Sequence, residues 1–224
     1  SSPLVVPADP QANATVLLLD RLMSSPDEPL FSLPDGAGWR DLSTREFHRQ
    51  VIELAKGFIA AGIEPGSRVG LMCKTRYEWT LIDFAMWFAG AALVPIYETS
   101  SPSQIEWILN DSEACALIVE TPDHEARYNE VKATTPHAKT TWVLESGAIA
   151  ELVAAGQGVS DEEVDRRRAL ATGKDLATLI YTSGSTGRPK GCVLTHSNFV
   201  ELCRNSAVAL SAVVNPESST LLFI

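Results

Sequence analysis

The sequence predicts an α/β fold, a mainly parallel sheet flanked by helices. Three observations predict it. Short apolar runs alternate with helix-patterned segments from Leu42 to Leu210. Helix-start signatures of the Ser-x-x-Glu/Gln type stand at Ser43, Ser101 and Ser160. A stretch rich in Gly, Ser and Thr, Thr182 to Gly191, follows directly on the apolar run Leu176 to Tyr181. Beyond the carboxyl ends of parallel strands is where ligands of such sheets gather.

The elements follow in order. Residues 1–41 read as an N-terminal extension packing on a lobe formed by residues 42–224. The extension carries a helix over Ala14–Met23 and a strand pair, with Phe31–Leu33 turning at Pro34-Asp35-Gly36 and returning through Trp39-Arg40. Ser43 caps a helix that places Phe47, Val51, Leu54, Ala55, Phe58 and Ile59 on one face. Gly62 ends it and Pro65-Gly66 turns the chain. Arg68–Cys73 is a buried strand, Tyr77–Ala89 a buried helix and Ala92–Tyr97 the next strand. Pro102 suits the first position of the helix opened by Ser101. Cys115–Glu120 and Thr140–Glu145 read as strands, with helices over Asp123–Lys132 and Ala148–Ala155. The helix headed by Ser160 runs to Leu170, acidic first and basic last, as the helix dipole favours, and Asp161–Arg168 reads as a solvated face. After the strand Leu176–Tyr181, Gly191–Thr195 is extended and a helix starts at Ser197 or Asn198. A turn at Asn215-Pro216-Glu217 and a strand over Thr220–Ile224 complete the reading.

Composition narrows the function classes. The 224 residues suffice for one large or two small domains with a sizeable core. With 45% hydrophobic and 21% charged residues the chain is not of the disordered class. A net charge of -10 argues against a nucleic-acid partner, and any anionic ligand must be held by local donors against the global field. Cys73, Cys115, Cys192 and Cys203 show no Cys-x-x-Cys spacing and read as buried or partly buried thiols of a reducing cytoplasm. The N-terminus shows no signal-peptide pattern. The most apolar window, Leu81–Val94, is shorter than the roughly 20 residues a spanning helix needs. The reading is therefore cytoplasmic, with peripheral contact at the inner membrane face and a homodimer left open.

The stretch Thr182–Gly191 carries three Gly, four Ser/Thr hydroxyls and Lys190. Gly lets backbone approach a ligand, successive N–H groups form an anion-binding concavity, and hydroxyls and an ammonium add donors. A Walker A loop needs Gly-Lys-Ser/Thr leading into a helix, and a dinucleotide fingerprint needs Gly-x-Gly-x-x-Gly opening a helix. Here Arg188-Pro189-Lys190-Gly191 leads into an extended segment, so neither fits. Hydrogen bonds to charged oxygens are worth roughly 1.5–3 kcal/mol each, so four or five such donors suffice for a triphosphate.

Tyr181 to Gly191, YTSGSTGRPKG, resembles the signature loop of the adenylate-forming (AMP-binding) superfamily, which includes acyl-CoA synthetases, peptide-synthetase adenylation domains and firefly-type luciferases. The flanking Leu194-Thr195-His196-Ser197-Asn198 is similar to the family's continuation, as are Ala61 to Val69, Ala89-Gly90-Ala91 and Val94 to Tyr97 upstream. The run Tyr97-Glu98-Thr99-Ser100-Ser101 is most similar to the long-chain fatty acyl-CoA synthetase branch. The resemblance implies a ligase that forms an acyl-adenylate from a fatty acid and ATP, then a thioester with coenzyme A. It implies that Thr182, Ser183, Gly184, Ser185, Thr186 and Gly187 wrap the phosphates, that Lys190 adds charge and acts with Thr186 in catalysis, and that the Ser185 hydroxyl faces Mg2+. Many relatives carry Thr at that position. The family's Gly-x-Thr-Glu element, ribose-binding Asp, hinge and C-terminal lobe are not found in these residues, so the sequence reads as the N-terminal part of such a ligase, inactive alone. Rival readings are a non-catalytic nucleotide-binding module, a short-chain or aromatic acid–CoA ligase, and a luciferase-like oxygenase.

Other residues weigh differently. Tyr181 is as much a packing residue as a contact, and Arg188 and Pro189 read as loop shape and solvent. His196 reads as a structural hydrogen-bonding residue, and His48, His124 and His137 show no partner pattern. Trp79, Trp87 and Trp107 read as core or interface.

Overall fold

A computed structural model describes residues 5–182, 188–213, 215 and 218–220. Helix α1 (Thr15–Ser24) precedes a hairpin of β1 (Pro29–Asp35) and β2 (Gly38–Ser43). Then come α2 (Thr44–Ala60), β3 (Arg68–Met72), α3 (Tyr77–Phe88), β4 (Ala92–Ile96), α4 (Pro102–Asp111) and β5 (Ala116–Val119). Helix α5 (Pro122–Asn129), β6 (Thr140–Val143), α6 (Ala148–Ala155) and α7 (Asp161–Arg168) follow. The last described elements are β7 (Leu176–Thr182), β8 (Lys190–Thr195) and α8 (His196–Ala209). No described helix is long and apolar enough to cross a membrane.

Six strands form one sheet in the order β6-β5-β3-β4-β7-β8. The first five are parallel, and β8 returns antiparallel along β7. Both faces of the central strands are covered, as parallel strands require. Val69, Leu71 and Cys73 of the β3 segment, with Ala116 and Ile118 of β5, enter a core against α2 and α3 that includes Phe47, Leu54, Phe58 and Phe88. The alternate residues Met72, Leu117 and Val119 enter a second core against α4 and α5, with Ile105, Leu109 and Tyr128. Gly57 and Gly156 make the crossing of α2 with the end of α6 close: a Cβ on Gly57 would be driven into the Leu152 carbonyl, and one on Gly156 into the Gly57 backbone. After α2, Gly62 adopts φ +84 and the Ile63 N–H bonds back to the Phe58 carbonyl at 3.0 Å, closing the helix as the sequence predicts.

Only one of the three predicted capping boxes forms completely. At Ser101 both halves are present. At Ser43 and Ser160 the serine accepts from the N–H of Glu46 and Glu163, but each Glu side chain turns to an arginine. Glu46 pairs with Arg40, and Glu163 with Arg166 and Arg167. A charged partner outcompetes the backbone N–H for the carboxylate. Two helices start earlier than expected, because Thr121 caps α5 through the His124 N–H and Asn198 accepts from the Thr195 N–H at the start of α8.

One further expectation is corrected. Asp161–Arg168 is not a wholly solvated face. Arg167 is 8% exposed, bonds the Ile63 carbonyl at 2.6 Å and pairs with Glu163 at 2.7 Å. It bolts α7 to the loop after α2. The predicted turn at Asn215-Pro216-Glu217 includes residues 216 and 217, and the predicted strand over Thr220–Ile224 includes 221–224, which lie outside the described residues.

Candidate functional site

The loop stretch is anchored by β7, which joins the parallel sheet at a single paired position, Leu93 with Thr178. Side chains reinforce that junction. The Thr178 hydroxyl donates to the Leu93 carbonyl at 3.0 Å, and the buried Trp87 indole N–H donates to the Ala177 carbonyl at 2.9 Å. Trp87 is thus a core residue with its one polar atom satisfied, as buried indoles require.

Beyond the junction, β7 and β8 pair with Tyr181 opposite Gly191 and Thr182 opposite Lys190. The described ends of β7 and β8 therefore meet at one point on the carboxyl edge of the sheet. Thr182 and Lys190, both exposed, flank that point. Ser183, Gly184, Ser185, Thr186 and Gly187 lie outside the described residues. Of the expected site residues the structure brings together Thr182 and Lys190.

Both limbs of this hairpin are held by α4. Tyr181 is 5% exposed and its hydroxyl donates to Asp111 Oδ2 at 2.6 Å. Burial, and then the bond to the Asp111 carboxylate, hold the phenol pKa above its ordinary value, so it remains a donor. On the other limb, the Trp107 Nε1–H donates to the Pro189 carbonyl at 2.9 Å, and the Arg188 guanidinium lies 4.6 Å from the centre of the indole ring. Arg188 and Pro189 are therefore not merely loop shape and solvent. Sequence reasoning placed Trp107 in the core or an interface and missed its partners. The available signal was the i, i+4 spacing of Trp107 and Asp111 on one helix, which puts them on one face.

Nearby, the ends of β3 and β5 are tied by charge. Glu120, 8% exposed, accepts from the Lys74 N–H at 2.9 Å and from Arg76 at 3.2 Å. Arg76 also forks onto Glu78 at 2.7 and 2.9 Å. These carboxylates hold the Arg76 guanidinium firmly charged, its pKa raised chiefly by the bond to Glu78. Burial pushes the Cys73 thiol up to about 12, which makes it an inert core residue. Cys73 and the half-buried Cys115 meet the expectation of buried or partly buried thiols, whereas Cys192 and Cys203 are exposed, because β8 and α8 turn these faces outward.

His196 behaves as a structural residue. It is 2% exposed, its Nδ1 accepts from the Ala14 N–H at 3.2 Å, and its ring meets Trp87 edge to face at 5.9 Å. Burial lowers its pKa to about 4, so the ring is neutral and ties the N-terminal segment to the start of α8. Among the described residues no group of three or more His, Cys, Asp or Glu stands ready to hold a metal ion. A Mg2+ that arrives with phosphate needs only one or two protein oxygens, since phosphates and waters fill the rest.

Residues 20–224 match the AMP-binding enzyme family. The chain belongs to that family. The long-chain-fatty-acid–CoA ligase FadD15 of Mycobacterium bovis is 38% identical over 216 residues, covering 95% of this chain and 36% of that protein. A feruloyl-CoA synthase of Amycolatopsis is 35% identical over 172 residues, covering 76% of this chain and 32% of that protein. This AMP-binding chain thus spans about a third of the length of the curated relatives it matches. Its fold is similar to that of the long-chain-fatty-acid-CoA ligase FadD1 of Archaeoglobus fulgidus, with TM-score 0.74 and 21% identity over 95% of this chain and 42% of that one. It is also similar to the anthranilate CoA ligase AuaEII in complex with anthranoyl-AMP, with TM-score 0.70 and 22% identity over 85% of this chain and 35% of that one. The expected fold class is that of these adenylate-forming structures.

Proposed function

We propose that this chain supplies the phosphate-holding part of an ATP-dependent long-chain fatty acid–CoA ligase. The observation that supports this most is the hairpin at the carboxyl edge of the sheet, where Thr182 and Lys190 stand opposite one another across a Gly-, Ser- and Thr-rich stretch. The similarity to long-chain fatty acid–CoA ligases over nearly the whole chain supports the substrate class.

In this reading Thr182, Ser183, Gly184, Ser185, Thr186 and Gly187 hold the β- and γ-phosphates through backbone N–H groups and hydroxyls. Lys190 adds a positive charge, and Lys190 and Thr186 act as the catalytic pair of this segment. The fatty acid carboxylate attacks the α-phosphate and pyrophosphate leaves. The acyl-adenylate is then open to the coenzyme A thiol, with AMP as leaving group. Donors fixed before the reaction are worth most where charge gathers on phosphate oxygens. The Ser185 hydroxyl is the oxygen for Mg2+, which when bound offsets phosphate charge. A long-chain acid partitions into bilayers, and the 64% exposed Trp39 near the tip of the β1–β2 hairpin offers an amphipathic side chain for peripheral membrane contact.

The test is ATP–pyrophosphate exchange by the full-length protein with acids of different class. Exchange driven best by palmitate-sized acids supports the proposal. Preference for acetate or for an aromatic acid overturns the long-chain assignment, and MgATP binding with no adenylate formed overturns the ligase reading.

A further inference from the structure

We infer that Trp107 is a positioning residue for the phosphate-holding stretch, with Arg188 as its partner. The inference rests on the phosphate role proposed above and adds a residue outside the loop to it. Two contacts carry it. The indole N–H is spent on the Pro189 carbonyl at 2.9 Å, and the indole face carries the Arg188 guanidinium at 4.6 Å from its centre. One side chain therefore grips the backbone of one residue and the side chain of its neighbour.

The next residue is Lys190, which opens β8 and pairs back with Thr182. Its own side chain is exposed, so its location depends on the backbone that delivers it. Strand pairing fixes that backbone from the sheet side, and Trp107 fixes it from the α4 side. Helix α4 is in turn a rigid base: its start carries a complete capping box and its inner face, Ile105, Ile108 and Leu109, is buried in the core. A guanidinium laid on an indole is also held in place, and it is weakly hydrated. Two cationic side chains, those of Arg188 and Lys190, thereby stand at the closing end of the stretch. Misplacement by about an ångström is enough to cost large factors in rate when catalysis depends on position.

A general packing role and a positioning role differ in what they move. Loss of packing lowers Tm and weakens every substrate alike. Loss of positioning raises KM for ATP or lowers the exchange rate while KM for the fatty acid and Tm stay near wild type. In the full-length protein, Trp107→Phe keeps the ring face and loses the N–H, Arg188→Ala removes the cation, and Trp107→Ala removes both contacts. Each single contact is expected to be worth about 3–10-fold in KM for ATP, and Trp107→Ala about 10–50-fold. Arg188→Lys recovers part of the loss, and the Trp107→Ala/Arg188→Ala double variant is no worse than Trp107→Ala. If Trp107→Phe and Arg188→Ala both stay within about twofold of wild type while Lys190→Ala raises KM for ATP, the positioning role is wrong and the phosphate reading stands. A rise in fatty acid KM parallel to that for ATP also overturns it. If Lys190→Ala has no effect, the phosphate reading fails and the inference falls with it.

Discussion

Trp107 and Asp111, one helical turn apart on α4, hold opposite limbs of the β7–β8 hairpin: Asp111 takes the Tyr181 hydroxyl at 2.6 Å and Trp107 gives its N–H to the Pro189 carbonyl at 2.9 Å. The edge of the sheet that bears Thr182 and Lys190 is thereby braced by a helix packed into the second core.

The Tyr181 bond is part-buried, short and made to a carboxylate, which places it among the stronger hydrogen bonds. Tyr181→Phe is expected to lose about 2 kcal/mol in urea unfolding. Asp111→Asn loses less, because the amide oxygen still accepts. Combining the two changes gives less than their sum, since both remove one interaction.

Two adjacent arginines on α7 have opposite fates. Arg167 is 8% exposed and satisfies the buried Ile63 carbonyl, so Arg167→Ala leaves that oxygen unpaired and is expected to cost about 2–3 kcal/mol. Arg166 lies on the exposed side, bonded to the neighbouring Glu163. Arg166→Ala is expected to change stability by less than about 0.5 kcal/mol. Equal losses in the two variants, read by chemical denaturation, contradict the placement of α7.

Gly57 sets propensity against sterics. Alanine is favoured over glycine in a helix interior by about 1 kcal/mol. At Gly57, however, a Cβ meets the Leu152 carbonyl and backbone, which are not flexible side-chain ends. Sterics wins, and Gly57→Ala is expected to destabilise by at least about 2 kcal/mol, a net that includes the propensity gain. A rise in Tm would show that α2 and α6 do not cross at this distance.

Between pH 4 and 7 His196 and Asp83 pull the stability in opposite directions, with His48, whose pKa burial also lowers, on the His196 side. Burial lowers the His196 pKa from 6.5 to about 4, so between these values the unfolded chain binds a proton that the native protein does not. Stability then rises with pH through that window, by up to ~3 kcal/mol, and is lost on acidification. Burial raises the Asp83 pKa from 3.8 to about 7, so there the native protein holds the extra proton and stability falls as pH rises. Wild-type stability is accordingly flattened between pH 4 and 6.5. Asp83→Asn removes one of these pulls: its Tm relative to wild type grows towards pH 7, and its own Tm climbs from pH 4 to 6.5. A flat Tm for Asp83→Asn over that range contradicts a buried neutral His196.

Much of the architecture was legible because each βα unit is written locally. The buried strands Arg68–Met72 and Ala92–Ile96 are short apolar runs, and Ser101 with Pro102 marks a helix start on its own. That the chain reaches the Gly-, Ser- and Thr-rich stretch from a strand's carboxyl end was legible for the same reason. What was not legible depends on partners distant in sequence. Arg167 looks like one of three surface arginines until Ile63, 104 positions away, is placed beside it. Trp107 and Pro189 are 82 positions apart, and no periodicity joins them. The failed halves of two capping boxes have a local origin instead: Arg40, six positions before Glu46, and Arg166 and Arg167, three and four after Glu163, decide where each glutamate points.

The most direct test of the central claim is fatty-acid-dependent ATP–pyrophosphate exchange by the full-length protein, wild type against Lys190→Ala. A lysine that stabilises phosphate charge in the transition state predicts a fall in kcat/KM for ATP of about 100-fold or more, on the scale of removing one preorganised donor. Tm is expected to be unchanged, because Lys190 is exposed. Exchange at the wild-type rate in Lys190→Ala would contradict the phosphate-holding role of the β7–β8 hairpin.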